Sequence, residues 1–304
     1  MRASLLERAV VRALPLAPPP LVSRVAARYV AGEELADAVR VVRELQAAGM
    51  VATVDLLGED VASDAQAEAA VAEYVAALDE LGAAGLAAGV SVKLSALGLD
   101  RSETAAFARL RTIVEAAAAR DRFVRIDMED ASTTDRTLRI FAAIRAEGHV
   151  NVGVVLQAML RRTLDDARTL VRQGIADVRV CKGIYLEPYR IAYEDPELIR
   201  RSFVRTAEEV LANGGTVAAA THDERLVDSM RDLAERHDPA AERHEYQVLL
   251  GVGRALRDLL VDQGERVRVY VPYGGESMAY ARRRLAENPR LVRHVLGALI
   301  GDRT

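Results

Sequence analysis

The chain has 304 residues; half are hydrophobic, 28% are charged, and 41 Lys and Arg residues are nearly balanced by 45 Asp and Glu residues. The net charge of −4 excludes the broad basic surface by which proteins bind nucleic acid. The single cysteine excludes an intrachain disulfide, and no uncharged apolar run of about 18 residues indicates a membrane-spanning helix. We therefore expect a cytoplasmic protein, for which any membrane association, at the inner face, would be peripheral.

The first 48 residues have helical patterns that prolines interrupt. Predicted helices cover residues 4–14, 21–29 and 33–48. Residues 15–20 contain four prolines, which no helix can run through, so the first two helices are separate. We expect one domain over 1–304, in which these N-terminal helices (1–48) precede a larger unit over 49–304.

From residue 49 onward, short β-branched runs alternate with helical patterns rich in Ala, Leu and Arg, which is typical of βα units and a parallel sheet. The predicted strands are 51–56, 89–94, 123–128, 152–156, 178–182, 216–220, 245–249 and 266–271. The predicted helices between them include 64–84, 104–119, 133–148, 164–173, 197–213 and 224–237. Eight strands with crossover helices predict an α/β fold, a (β/α)8 TIM-type barrel with additional N-terminal helices.

A doubly wound sheet that binds a dinucleotide is the main alternative fold. The nearest match to its glycine fingerprint begins at Gly251 and Gly253, but Leu256 replaces the third glycine. The next predicted strand runs into Pro272 and Tyr273, where the dinucleotide motif requires an acidic residue for the ribose. The sequence therefore favours the barrel.

Polar residues recur where the predicted strands end. In α/β barrels the C-terminal strand ends and the loops that follow them form the active site. The residues at this level include Asp55, Lys93, Asp127, Gln157, Arg179, Lys182, Thr221, His222, Gln247 and Tyr270. Their recurrence within or next to apolar runs predicts that they converge on one rim.

Some of these residues also have a purely structural interpretation. Lys93 and Lys182 can be strand-end lysines whose amino groups extend to solvent. Asp127 can cap the next helix, and Gln157 can bridge backbone groups. These alternatives stay open for each residue taken singly, and the shared position of all of them favours a functional site.

The histidines and the cysteine give no sign of a metal site. His222 can be a hydrogen-bonded structural histidine, and Cys181 is expected to be an unreactive core residue. The five histidines are scattered and lack the paired spacing of metal ligands, so we expect no bound metal.

An arginine pair follows the last predicted strand, on a predicted helix over 277–288. Tyr280 precedes Arg283 and Arg284 by three and four residues, so the three side chains can share one helix face. Glu287 can pair with either arginine and orient it. Near the barrel mouth, such a pair predicts a bidentate grip on a carboxylate or phosphate.

With these residues in place, the sequence resembles the flavin-dependent proline dehydrogenases of the monofunctional bacterial type, from about residue 55 to residue 289. The motifs that carry the resemblance are SVKLS (91–95), RIDMED (125–130), LQAMLRRT (156–163), RVCKGIY (179–185), ATHD (220–223), YQVL (246–249), VYVPYG (269–274) and RRLAE (283–287). The resemblance implies an FAD enzyme that oxidises L-proline to Δ1-pyrroline-5-carboxylate, with a membrane quinone as the electron acceptor.

The resemblance also implies roles for individual residues. It assigns the substrate carboxylate to Lys93, Arg283 and Arg284, the packing around the ring to Tyr270 and Tyr280, and a catalytic pair to Asp127 and Arg179, with Arg179 beside the flavin. The implied flavin contacts are Met128, Gln157, Lys182, Gly183, Ile184, Thr221 and His222. Glu59 resembles a first-loop glutamate that pairs with an arginine of the last helix when the site closes.

Two other functions remain open at this point. A Schiff-base aldolase would use Lys182 as the nucleophile and bind a phosphate near 251–253 or 274–275. A non-catalytic flavin- or amino-acid-binding protein would keep Lys182 and Gln157 without needing Asp127. Ile184 stands where the resembling family usually has alanine, which changes the packing but removes no reacting group.

Overall fold

The computed structural model describes residues 28–58, 61–238 and 241–275. Its strands are β1 Val51–Leu56, β2 Ala88–Val92, β3 Val124–Ile126, β4 Val152–Gln157, β5 Asp177–Cys181, β6 Thr216–Ala220, β7 His244–Leu249 and β8 Val267–Tyr273. Its helices are α1 Leu35–Ala47, α2 Asp64–Ala83, α3 Glu103–Ala118, α4 Thr134–Ala146, α5 Thr163–Arg172, α6 Pro196–Ala212, α7 Glu224–His237 and α8 Arg254–Asp262.

The eight strands form a closed parallel barrel in sequence order. β1 pairs with both β2 and β8, so that Asp55 lies between Ser91 and Pro272. This closure confirms the predicted barrel and excludes the doubly wound sheet. Two predicted strands were too long at their C-terminal ends, because β2 ends at Val92 and β3 at Ile126. Lys93 and Asp127 therefore follow their strands directly.

The helices begin where short polar side chains can cap them. Ser63, Ser102 and Asp195 precede α2, α3 and α6, and their side-chain oxygens accept hydrogen bonds from backbone N–H groups of the first turns. Each such cap contributes about 1 kcal/mol to stability. The helix α8, which was not among the predicted helices, begins after Gly253, whose φ of 59° lies in the left-handed region that glycine adopts without strain.

The two faces of the strands differ in chemistry. Alternate strand residues, mostly valine, isoleucine and alanine, are buried against the surrounding helices, and the largest hydrophobic core lies in this layer. The other face points into the barrel and carries polar residues in register, since side chains alternate along a strand. These inward residues include Thr53, Asp55, Ser91, Arg125, Arg179, Glu245, Gln247 and Arg268. The barrel interior is thus a buried polar layer beneath the C-terminal mouth.

The chain before α1 lies beside the C-terminal end of β8. The N–H of Ala31 donates to the carbonyl of Pro272 at 2.8 Å, and the N–H of Gly274 donates to the carbonyl of Gly32 at 3.0 Å. The predicted helices over 4–14 and 277–288, and all but the last two residues of 21–29, lie outside the described residues.

Candidate active site

A cavity of about 990 Å³ lies at the C-terminal ends of the strands. Eleven of the residues predicted for the site are described, and all of them line it: Lys93, Asp127, Met128, Gln157, Arg179, Lys182, Gly183, Ile184, Thr221, His222 and Tyr270. The strand ends bring these residues together although they are spread along most of the barrel sequence. Tyr280, Arg283 and Arg284 lie outside the described residues, as do Glu59 and Glu287.

Asp127 is the centre of a hydrogen-bonded cluster at the floor of this cavity. Its Oδ1 accepts from Arg179 Nη1 at 2.7 Å and from Ser91 Oγ at 2.8 Å. Its Oδ2 accepts from the hydroxyl of Tyr270 at 2.8 Å. The guanidinium of Arg179 also lies over the Tyr270 ring, 5.4 Å from its centre. Asp127 therefore holds side chains of three other strands and does not cap α4, whose N-cap residue is Thr133.

Lys93 forms an ion pair that was not predicted from the sequence. Its Nζ lies 2.9 and 3.0 Å from the two carboxylate oxygens of Asp55, which is completely buried. Burial, followed by the negative charge of Asp127, raises the pKa of Asp55 to about 6 although the charge of Lys93 opposes both effects. Asp55 was recognised as a strand-end acid but was given no role.

Arg179 is held on a second side by Gln247. The Arg179 Nε donates to Gln247 Oε1 at 2.5 Å, and both side chains are almost fully buried. The Nη2 of Arg179 is buried and has no hydrogen-bond partner among the residues that the structure describes. The cavity floor thus contains one donor for which the described residues supply no acceptor.

The wall formed by β4 and the β5–α6 loop is tightly packed. The side chain of Gln157 donates to the carbonyl of Glu129 at 2.7 Å, so it binds one backbone group. Gly183 has a φ of +94°, and a Cβ there would lie 2.6 Å from Met159 Sδ and 3.0 Å from Gln157 Oε1. The backbone at Gly183 can therefore approach this wall only without a side chain.

Lys182 and His222 follow the next two strands of the rim, β5 and β6. Lys182 Nζ is 2.5 Å from the carboxylate of Asp223, which also accepts from Arg200 Nε at 2.7 Å. His222 Nε2 accepts from the N–H of Leu249 at 3.1 Å, which requires a neutral ring nitrogen. Burial, followed by the charge of Lys182, lowers the pKa of His222 to about 4, so the ring is neutral at pH 7.

Cys181 was expected to be an unreactive core residue, and it does pack against the core, but it also faces the cavity. The residue is partly buried and lines the cavity, two residues after Arg179 on the same face of β5. Alternation along the strand could have revealed this position. Burial raises the pKa of its thiol to about 11, which keeps the thiol protonated and unreactive.

Neither a metal cluster nor a membrane-spanning helix occurs in the described part of the chain. Within 28–58, 61–238 and 241–275, no group of three or more histidine, cysteine or acidic side chains could hold a metal ion. None of the helices in these ranges is long and apolar enough to cross a membrane.

Comparison with known proteins identifies proline dehydrogenases as relatives of this chain. The family model described as proline dehydrogenase matches residues 38–295. A proline dehydrogenase of Deinococcus radiodurans is 35% identical over 279 residues, and proline dehydrogenase 1 of Bacillus subtilis is 35% identical over 275 residues. Each alignment covers 90% of this chain and 90% of the relative.

Solved structures show the same barrel. Proline utilization A from Bdellovibrio bacteriovorus, determined after inactivation by N-propargylglycine, superposes with a TM-score of 0.82 at 26% identity. Proline utilization A from Bradyrhizobium japonicum superposes with a TM-score of 0.73 at 25% identity. These matches cover 88% of this chain but only 33% and 31% of the two longer chains.

Proposed function

The chain belongs to the proline dehydrogenase family, and on that premise we propose that it oxidises L-proline to Δ1-pyrroline-5-carboxylate. In this proposal FAD is the hydride acceptor, and a membrane quinone is the final electron acceptor. The observation that carries the proposal is the cluster of Lys93, Asp127, Arg179 and Tyr270 at the floor of one cavity.

Proline offers a carboxylate and a secondary amine, and the site contains partners for the carboxylate. Lys93 would bind it together with Arg283 and Arg284, the pair that the sequence places on the last predicted helix. The Asp55 carboxylate keeps the Lys93 ammonium at the cavity, 2.9 Å away. Three cations around one carboxylate would fix the substrate in a single orientation, and positioning of this kind supplies much of an enzyme's rate.

The residues at the cavity are compatible with FAD. The buried Nη2 of Arg179 has no acceptor among the described side chains, and a cavity of about 990 Å³ admits a large cofactor. We propose that Met128, Gln157, Lys182, Gly183, Ile184, Thr221 and His222 hold it. Bound FAD would supply the acceptor for the hydride that leaves C5 of proline. Arg179 would place positive charge where negative charge develops.

The hydride can leave only from the neutral amine, so the ammonium proton of proline must be lost first. Asp127 is an unsuitable base for this step, because its two oxygens already accept hydrogen bonds from Ser91, Arg179 and Tyr270. Its geometry supports an orienting role: it fixes the Arg179 guanidinium and the Tyr270 ring. Tyr270 would then pack against the substrate ring, with Tyr280 as its partner.

The aldolase alternative is disfavoured by the environment of Lys182. A nucleophilic lysine must be neutral, whereas Lys182 Nζ contacts the Asp223 carboxylate at 2.5 Å. The binding-protein alternative does not explain the buried Asp127–Arg179 ion pair, since binding alone does not require two charges to be removed from water.

Anaerobic titration of the purified protein with L-proline tests the proposal. We expect a yellow protein whose flavin absorbance is bleached by proline and restored by a quinone analogue. A yellow protein that proline does not bleach would favour the binding protein. A colourless protein that borohydride traps with an aldehyde substrate would favour the aldolase. Arg283→Met should raise the apparent Kd for proline, and an unchanged Kd would remove Arg283 from the carboxylate site.

A further inference from the structure

A chain of hydrogen-bonded side chains continues from Arg179 away from the cavity mouth, across β7 and β8; Arg179, Gln247 and Glu245 are buried and Arg268 is half-buried. Arg179 Nε donates to Gln247 Oε1, and Gln247 Nε2 donates to Glu245 Oε1, each at 2.5 Å. Arg268 then binds both oxygens of Glu245, at 2.6 and 3.0 Å. The four side chains thus form one continuous hydrogen-bonded row inside the barrel.

The ion pair at the end of this row fixes the orientation of the Gln247 amide. A glutamine amide can turn by 180° and exchange its donor and acceptor, but Glu245 is an acceptor only. Burial alone would raise the pKa of Glu245, whereas Arg268 lowers it to about 2, so it stays ionised. The amide nitrogen of Gln247 must therefore face Glu245, and its oxygen must face Arg179.

Packing alone would not hold Arg179 in place. Arg179 and Gln247 line the upper cavity and also a second cavity of about 170 Å³ on the opposite side of the barrel layer. A long side chain between two cavities can adopt more than one rotamer unless hydrogen bonds select one. Asp127 holds Nη1 and Gln247 holds Nε, so two bonds from different sides select the observed position.

From this geometry we propose that Gln247 is a positioning residue, which holds the Arg179 guanidinium against Asp127 at the cavity floor while Glu245 and Arg268 fix the Gln247 amide. The consequence for the reaction rests on the proposed function, whereas the consequence for Arg179 does not. Gln247 acts through Arg179, and its loss would free Arg179 to turn toward the second cavity.

The first test replaces the amide by a side chain of similar size, Gln247→Leu. We expect kcat to fall about tenfold with KM for proline changed less than about threefold, since one lost bond to a charged group is about this size. The equilibrium constant for flavin reduction should fall about tenfold, which is about 30 mV for a two-electron couple. Asn151→Leu is the control, since it removes amide bonds to Val114 and Arg122 remote from the cavity.

The second test reads Arg179 directly and needs neither flavin nor turnover. In the wild type the Arg179 Nε–H proton should exchange slowly by NMR, assigned by its absence in Arg179→Lys. In Gln247→Leu it should exchange at least about tenfold faster, because the bond to its acceptor is gone. Unchanged exchange, or an unchanged reduction equilibrium in a protein that proline does reduce, would overturn the inference.

A reciprocal exchange separates positioning from simple destabilisation. Gln247→Glu keeps an acceptor for the Arg179 Nε but sets a second carboxylate against Glu245, and Glu245→Gln added to it restores a donor facing an acceptor. The double variant should keep the slow Arg179 exchange and exceed Gln247→Leu in kcat by about tenfold. If the wild type itself is not reduced by proline, the proposed function fails, while the exchange rates still decide whether Gln247 positions Arg179.

Discussion

Both carboxylate oxygens of Asp55 contact the Nζ of Lys93, at 2.9 and 3.0 Å. The carboxylate is completely buried, and the lysine side chain is mostly buried. A buried pair of this kind is not by itself a source of stability, since the desolvation cost offsets the attraction, but removing one partner leaves a buried charge. The pair is therefore best explained by the carboxylate-binding role that we propose for Lys93.

Lys93→Met tests this explanation of the buried pair. The variant leaves Asp55 without its cation, so we expect a loss of about 3 kcal/mol in the free energy of unfolding and an apparent Kd for proline raised at least about tenfold. Asp55→Asn combined with Lys93→Met removes both charges and should recover most of the stability without recovering proline binding. Urea denaturation and proline titration measure the two effects. Recovery of binding in the double variant would contradict a direct role for Lys93.

His222 predicts a pH dependence of stability. Its pKa is lowered to about 4, below the ordinary value of 6.5, so the unfolded chain takes up a proton at higher pH than the folded chain does. The contribution of the neutral ring is fully present above pH 6.5 and is lost progressively toward pH 4, by up to about 3 kcal/mol. His222→Gln lacks this titration. The difference in unfolding free energy between wild type and variant should shrink over this window, measured by urea denaturation; a constant difference would contradict the buried, neutral histidine.

Gly183→Ala should distort the cavity wall. The added methyl group would meet Met159 Sδ at 2.6 Å in a backbone with a φ of +94°. Gly148→Ala is a matched control, since Gly148 has a φ of +93° and a methyl group added there would meet nothing within 4 Å. We expect about 1 kcal/mol of destabilisation in the control and about 2–4 kcal/mol in Gly183→Ala, with flavin lost from the latter alone. Flavin absorbance per protein and urea denaturation measure both; equal flavin content would contradict the proposed contact.

Asp127 and Tyr270 should differ in importance. Asp127→Ala leaves the buried Arg179 without its anion, so we expect kcat to fall more than about a hundredfold and stability by about 3–5 kcal/mol. Tyr270→Phe removes one of three hydrogen bonds to Asp127 and should lower kcat about tenfold with little effect on folding. Steady-state kinetics beside thermal denaturation separates these effects. Equal losses in the two variants would contradict the central place of Asp127.

Much of the fold follows from local patterns. Runs such as 152–156 are apolar on both faces because helices cover one side and the barrel encloses the other. The alternation of β-branched runs with helical patterns predicted the helices that follow the first six strands, and it placed the strand ends within two residues. Of the predicted rim residues that the structure describes, all but the buried Asp55 line one cavity, since all strands of a parallel barrel end at the same side.

The pairings inside the barrel did not follow from the sequence. Asp55 was passed over beside Lys93, and Gln247 was not connected to Arg179. Each error concerns which residues face one another across the barrel, over separations of 38 positions for Lys93 and Asp55 and 68 for Gln247 and Arg179. Period-two alternation indicates that a side chain points inward, but it carries no information about its partner.

The sequence by itself determined the barrel, the level of the active site and the residue types that gather there, because strand period, helix period and strand direction are local properties of the chain. Only the tertiary structure decided that Asp55 holds Lys93 and that Asp127 and Gln247 hold Arg179 from two sides. Strand register and barrel closure set those distances, and both depend on all eight strands at once.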